Sequence, residues 1–261
     1  MHRCLTSTED GCPRCEQPLP FEFTMAFQPI VDLAQARVTT HEALVRGPNG
    51  ESAFSILSQV TPKLLYRFDQ ACRIRAIELA SHLGMTGNLS INFLPNAVYE
   101  PSACIQATLE VSRKVGWPTE RLIFEITETE QVQNQQHLRN IIDTYRRMGF
   151  ATALDDFGNG YANLDLLTVL HPDRLKIDRT LISHCDRDPR RQAILHSLVT
   201  LADDLDIGLI AEGVETREEA LWLARNGLTH QQGYFHARPA LETLANGLDA
   251  HLEALRETLD A

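Results

Sequence analysis

Acidic side chains gather where the predicted strands of this chain end. Glu42 falls late in a predicted strand over 37–46, Asn92 late in one over 89–93, and Glu125 inside one over 122–126. Asp155 and Asp156 close a strand begun at Ala151, Asp178 follows one over 174–177, and Glu212 follows one over 207–211. Taking a carboxylate out of water without a partner is costly, so acids are rarely buried alone. One acid at a strand end reads as a helix cap or a surface group. Acids that recur at the same topological place read as a site, and they would repel one another unless cations neutralised them. Carboxylates joined by one amide oxygen suit hard ions, Mg2+ or Mn2+. The histidines form no comparable group: His41 should face away from Glu42 across its strand, and His171, His230 and His236 are scattered. Lys176, in Leu175-Lys176-Ile177-Asp178, is placed by strand alternation either among the acids, as a charged group that orients water and offsets phosphoryl charge, or as a plain counter-ion. Gly158 and Gly160 read as a tight loop that lets backbone approach a ligand.

The elements that must position these groups alternate along the chain. Strands are predicted over 25–31 and 37–46, and their short Asp32–Ala36 connection cannot hold a crossover helix, so the pair should be antiparallel. A long helix over 64–83 follows, with apolar residues near a 3.6 period. Strands are then predicted over 89–93, 122–126, 151–154, 174–177, 207–211 and 229–231. Helices over 102–115, 136–148, 163–170, 190–205 and 217–226 separate them, and residues 241–261 form a last helix burying Leu241, Leu244, Leu248 and Leu252. Such repetition implies a parallel sheet, closed as an α/β barrel or open and doubly wound.

The 261 residues are 43% hydrophobic and 23% charged, ordinary for a globular chain. A net charge of −11 argues against a DNA or RNA polymer as partner, though not against a small phosphorylated ligand. No apolar run reaches the roughly 18 residues of a membrane span, and the opening Met1-His2-Arg3-Cys4 has no signal-peptide core. A cytoplasmic location without membrane attachment is the expectation. Residues 1–21 read as a short lead to a domain over 22–261. Cys4, Cys12 and Cys15 in that lead, with His2, are open to three readings: a tail with reduced thiols, a zinc knuckle, or a redox pair.

At Glu42-Ala43-Leu44 the chain resembles a family. The tripeptide stands after Gln28-Pro29-Ile30-Val31 and runs into Val45-Arg46. Phe124-Glu125-Ile126-Thr127-Glu128, Asp155-Asp156-Phe157-Gly158-Asn159-Gly160-Tyr161, Leu175-Lys176-Ile177-Asp178, Ala211-Glu212-Gly213-Val214-Glu215 and Gln232-Gly233-Tyr234-Phe235 follow in order. Together they resemble the EAL domains, bacterial cyclic-di-GMP phosphodiesterases, from about Phe23 to Pro239. The resemblance implies a modified (β/α)8 TIM barrel with one antiparallel strand. It implies two divalent cations, the first held by Glu42, Asn92, Glu125 and Asp155, with Asp155 bridging to the second beside Asp156, and Glu212 acting partly through water. Lys176 matches the catalytic lysine, Glu215 and Gln232 look like water-positioning groups, and Glu128 resembles the anchor of the loop after the fifth strand. Gln28, Arg46, Asp178 and Gln232 are expected at the substrate, Arg46 on a phosphate. Asn92 is preferred to Asn88 as the ligand because it leaves room for a strand before it. Gly47, where a tryptophan is frequent, and Ala162-Asn163, in place of Ser-Ser, are mild departures. The implied reaction is two-metal hydrolysis of cyclic-di-GMP to linear 5′-pGpG, by a homodimer, with a separate regulatory protein as a further partner. The alternatives are an inactive receptor of the same dinucleotide acting through a partner, and a barrel enzyme for an unrelated phosphorylated metabolite.

Overall fold

The computed structural model describes residues 18–98, 100–127, 135–159 and 164–261. The lead thiols Cys4, Cys12 and Cys15, the loop residue Gly160 and the expected anchor Glu128 lie outside them. The strands are β1 (Thr24–Asp32), β2 (Arg37–Arg46), β3 (Asn88–Phe93), β4 (Leu122–Thr127), β5 (Ala151–Phe157), β6 (Arg174–Ile177), β7 (Gly208–Ala211), β8 (His230–Gln231) and β9 (Ala240–Leu241). The helices are α1 (Ala53–Leu57), α2 (Leu65–His82), α3 (Pro101–Cys104), α4 (Gln106–Val115), α5 (Gln135–Arg147), α6 (Leu164–Val169), α7 (Arg179–Ile182), α8 (Pro189–Leu205), α9 (Arg217–Arg225) and α10 (Leu248–Asp260).

The strand order β2-β3-β4-β5-β6-β7-β8-β1-β9, with β1 also paired to β2, closes β1 through β8 into a barrel and leaves β9 outside as an extra strand on β1. The expected antiparallel pair is present: β1 runs against both β2 and β8, while β2 through β8 are mutually parallel. Four residues separate β1 from β2, and the Asp32 carboxylate accepts the Ala34 N–H at 3.0 Å to fix the reversal. Every residue of β1 is buried, because the barrel interior lies on one side and helices cover the other.

The helices seal the barrel through two apolar clusters. Phe93, Phe124, Tyr145 and Phe150 pack edge-on or tilted, with centroids 5.1–6.0 Å apart, between β3, β4 and α5. Burying each ring stabilises the fold by about 1.5–3 kcal/mol. Leu195, Leu198, Ala220, Leu223, Leu252 and Leu255 close the other side under α8, α9 and α10.

Three expectations need correction. The last helix begins at Leu248; Leu241 lies in β9 and is 37% exposed, and the buried stripe of the helix is Leu248, Leu252 and Leu255. The single helix expected over 102–115 is two, α3 and α4, joined at Ile105. Strand β5 runs on through both aspartates to Phe157.

Candidate functional site

Parallel register brings the polar residues of neighbouring strands level. Glu42 of β2 stands beside Ser90 of β3, and Asn92 of β3 beside Glu125 of β4. Ser90 and Asn92 share a face because side chains alternate along a strand. Asn92 donates its amide to Glu42 Oε1 at 2.8 Å, and the Ser90 hydroxyl donates to Glu125 Oε1 at 2.5 Å. Asn88 pairs with Thr40 at the opposite end of β3, away from the acids.

Strand β5 supplies two consecutive acids by breaking its own alternation. Its register with β6 shifts between Leu154 and Phe157, and Asp156 takes a left-handed φ of 58°. That conformation is uncommon for any residue but glycine, and aspartate and asparagine tolerate it best. The Asp156 N–H closes onto Asp155 Oδ1 at 3.0 Å.

Lys176 of β6 enters the centre. Its ammonium lies 2.7 Å from Glu212, 2.9 Å from Glu125, 3.0 Å from Asp155 and 3.3 Å from Glu42, and its side chain is 1% exposed. Burial disfavours the charge, but Glu125, Glu212, Glu42 and Asp155 outweigh it and raise the ammonium well above the usual lysine range. Lys176 is therefore a fixed donor at neutral pH. The acids divide. Burial works against the charge on Glu42, yet Lys176, Gln232 and Asn92 hold its carboxyl below the ordinary range. Burial, then the charge of Glu42, pushes Glu125 well above it against the pull of Lys176. Burial likewise drives Glu212 up to about 8 despite Lys176, and burial with Asp155 and Asp178 raises Asp156.

Among the described residues, ligand oxygens come within 4.8 Å of one another in two groups, Glu42 with Glu125 and Asp155, and Asp155 with Asp156 and Glu212. Asp155 belongs to both. This donor set fits hard divalent cations: all of it is carboxylate oxygen, and one lysine faces several acids.

The residues expected at the substrate differ in what they touch. Gln232 donates to Glu42 Oε2 at 2.7 Å and to Gln28 Oε1 at 3.3 Å, and Gln28 donates to the Ala237 carbonyl at 3.1 Å. The side-chain oxygen Oε1 of Gln232 is buried and has no hydrogen-bond partner among the described residues. Asp178, at the end of β6, caps α7 by accepting the Thr180 N–H at 2.8 Å. Arg46, at the end of β2, is half-buried and donates to its neighbour's carbonyl at 2.7 Å. Glu215 is not drawn into the cluster: it pairs with Arg179 at 2.8 Å on the surface.

Ser90, Glu219 and Gly233 were not singled out from the sequence. Ser90 was findable, two residues before Asn92 on an alternating strand. Buried Glu219 accepts the backbone N–H groups of His184, Glu215 and Thr216 at 2.8–3.1 Å and so shapes the turn after Glu212. Gly233 lies so near the Val214 backbone that a Cβ there would stand 2.0 Å from the Val214 carbonyl oxygen. Glu219 could have been found, since Thr216-Arg217-Glu218-Glu219 is a capping-box pattern at the start of α9, whereas the role of Gly233 leaves no local signal.

Among known proteins, a standalone EAL protein from Vibrio cholerae O395, solved in a c-di-GMP bound form, is 46% identical with a TM-score of 0.85, covering 87% of this chain and 96% of that one. BlrP1 of Klebsiella pneumoniae, solved as a manganese/cy-diGMP complex, is 35% identical with a TM-score of 0.81, covering 88% of this chain and 59% of that one. The blue light- and temperature-regulated antirepressor BluF of Escherichia coli K12 is 32% identical over 218 residues, 83% of this chain and 54% of its own. The chain spans about half the length of the curated relatives it matches. Residues 20–239 match the EAL domain, within which every acid of the carboxylate cluster falls, and the chain belongs to that family.

Proposed function

We propose that the chain is a metal-dependent phosphodiesterase that hydrolyses cyclic-di-GMP to linear 5′-pGpG. One observation carries the reading: Asp155 is shared by two carboxylate groups packed around a buried lysine at the barrel mouth. Relatives of the same fold are solved with this dinucleotide, one of them with manganese. Two cations, Mg2+ or Mn2+, held by Glu42, Asn92, Glu125, Asp155, Asp156 and Glu212 would activate water and offset charge on the phosphodiester.

The chain's own residues do the rest. Asn92 and Gln232 fix the rotamer of Glu42, and Ser90 fixes that of Glu125, so the ligand oxygens are set before any ion arrives. Lys176, permanently charged, donates toward the water or the phosphoryl oxygen as negative charge develops there. Gln28, Gln232, Asp178 and Arg46 face the substrate, Arg46 as the partner of a phosphate. Glu215 and Glu128 complete the reading as groups that position water and the loop after β5.

Chromatography of cyclic-di-GMP incubated with pure protein and Mg2+ or Mn2+ tests the proposal. Linear pGpG that disappears with chelator supports it; binding without product supports a receptor instead. The receptor reading has its own observation, since one relative of the same family is named an antirepressor.

We assign the barrel to residues 22–261, with 1–21 as a lead, and expect removal of residues 1–20 to preserve hydrolysis. No helix among the described residues is long and apolar enough to cross a membrane. A cytoplasmic homodimer, with a separate regulatory protein, completes the proposal; light scattering tests the dimer.

A further inference from the structure

Resting on the reading of Asn92 as a metal ligand, we infer that the buried Asp69–Arg73 pair of α2 is a positioning device for that ligand, acting through the backbone N–H of Leu94. Asp69 and Arg73 meet at 2.5 Å with side chains 1% and 0% exposed. Asp69 turns its second oxygen out of the helix and accepts the Leu94 N–H at 3.1 Å. Leu94 is the first residue beyond β3, where the chain turns into the 3-10 turn Pro95–Ala97, and it lies two residues after Asn92. Asn92 in turn donates to Glu42. A path of contacts thus joins the helix layer to the carboxylates: Arg73 to Asp69, Asp69 to the Leu94 N–H, and β3 to Asn92.

Stability alone is a poor reason for this pair. Apolar residues of similar volume commonly replace a buried ion pair with no loss or with a gain. Here the satisfaction is incomplete as well: Arg73 reaches Thr108 Oγ1 only at 3.4 Å, and its Nε has no partner among the described residues. The pair does supply one strong acceptor at a fixed place, at the point where β3 ends and its last side chains must be aimed. Arg73 holds Asp69 in that rotamer; Asp69 holds the strand end.

The test separates the acceptor from the charge. In Asp69→Asn/Arg73→Met the charges go but an oxygen remains for the Leu94 N–H; in Asp69→Leu/Arg73→Met both go. Mn2+ affinity is measured by calorimetry on each, on the wild type and on Asn92→Ala. The expected result is a loss of about tenfold in Asp69→Leu/Arg73→Met, recovery to within about twofold of wild type in Asp69→Asn/Arg73→Met, and at least tenfold loss in Asn92→Ala. Equal affinities in the two double variants overturn the inference, while an unchanged Asn92→Ala overturns the ligand reading beneath it. Hydrogen exchange in the unmodified protein gives an answer even where a variant fails to fold. A Leu94 amide as protected as those of β3 supports the inference, and one that exchanges like a free loop amide overturns it.

Discussion

The two ends of the barrel treat charge in opposite ways. At the end where β3 and β6 begin, Arg121 and Asp173 have their own fixed partners. Arg121 donates to the Met85 and Gly87 carbonyls at 2.9 Å, and Asp173 accepts the Thr152 N–H at 2.8 Å and its hydroxyl at 3.0 Å. At the end where the same strands finish, Glu42, Glu125, Asp155 and Glu212 share one lysine. The floor spends its charges locally on backbone groups, and the mouth concentrates like charges. Concentration of that kind destabilises a fold and is useful only for a ligand that brings opposite charge.

The comparison breaks most visibly at Asp155. Asp155→Ala, removing the group common to both clusters, should take turnover of cyclic-di-GMP to background, a loss of about three orders of magnitude or more, while circular dichroism stays native. Retained turnover would sink the two-metal reading. Lys176→Met comes next. Single-turnover rates should fall about 10²–10³-fold with much less change in substrate affinity, because the lost donor acts where charge develops. Removing the counter-ion should also cost the metal-free protein about 3–5 kcal/mol, and Mn2+ should restore most of it in thermal melts.

A third effect is independent of the mouth acids. Burial lowers His41 to about 4, and burial with His251 lowers His236 to about 3, from an unfolded value of 6.5. Both bind a proton more readily when unfolded. Their contribution is therefore complete above about pH 6.5 and is lost as pH falls toward the folded values, at about 1.4 kcal/mol per pH unit for each. Urea melts of wild type and His236→Phe at pH 7 and pH 5 should differ in slope by one such group; parallel profiles would exclude it. At the floor, Asp173→Ala should cost about 2 kcal/mol in the same melts and leave turnover within about twofold. Arg179→Ala, which frees the half-exposed Glu215, should change stability by less than about 0.5 kcal/mol.

Much of this was legible in the sequence because it depends on residue type and local period. The acids stand at strand ends, Lys176 stands in an alternating strand, and a connection too short for a helix fixes β1 against β2. What was missed depends on distant backbone. Leu241 and Leu244 happen to continue the helical spacing of Leu248 and Leu252, but Leu241 pairs with Ala26 of β1, and no local pattern reports that pairing. The sequence places the end of β5 at its aspartates, yet pairing with β6 resumes at Phe157 and carries the strand on. The ion pair of Glu215 with Arg179 likewise leaves no mark near Glu215 in the sequence.

The left-handed Asp156 has a consequence for how such a domain can change. Few side chains accept its backbone without strain, and asparagine is among the few. Exchange of that carboxylate for its amide would keep the backbone, the volume and the barrel while lowering the charge available to the second cluster. On the proposed chemistry, one carboxylate-to-amide step at a single residue separates a catalyst from a well-folded binder, so inheritance between the two needs no passage through a misfolded intermediate.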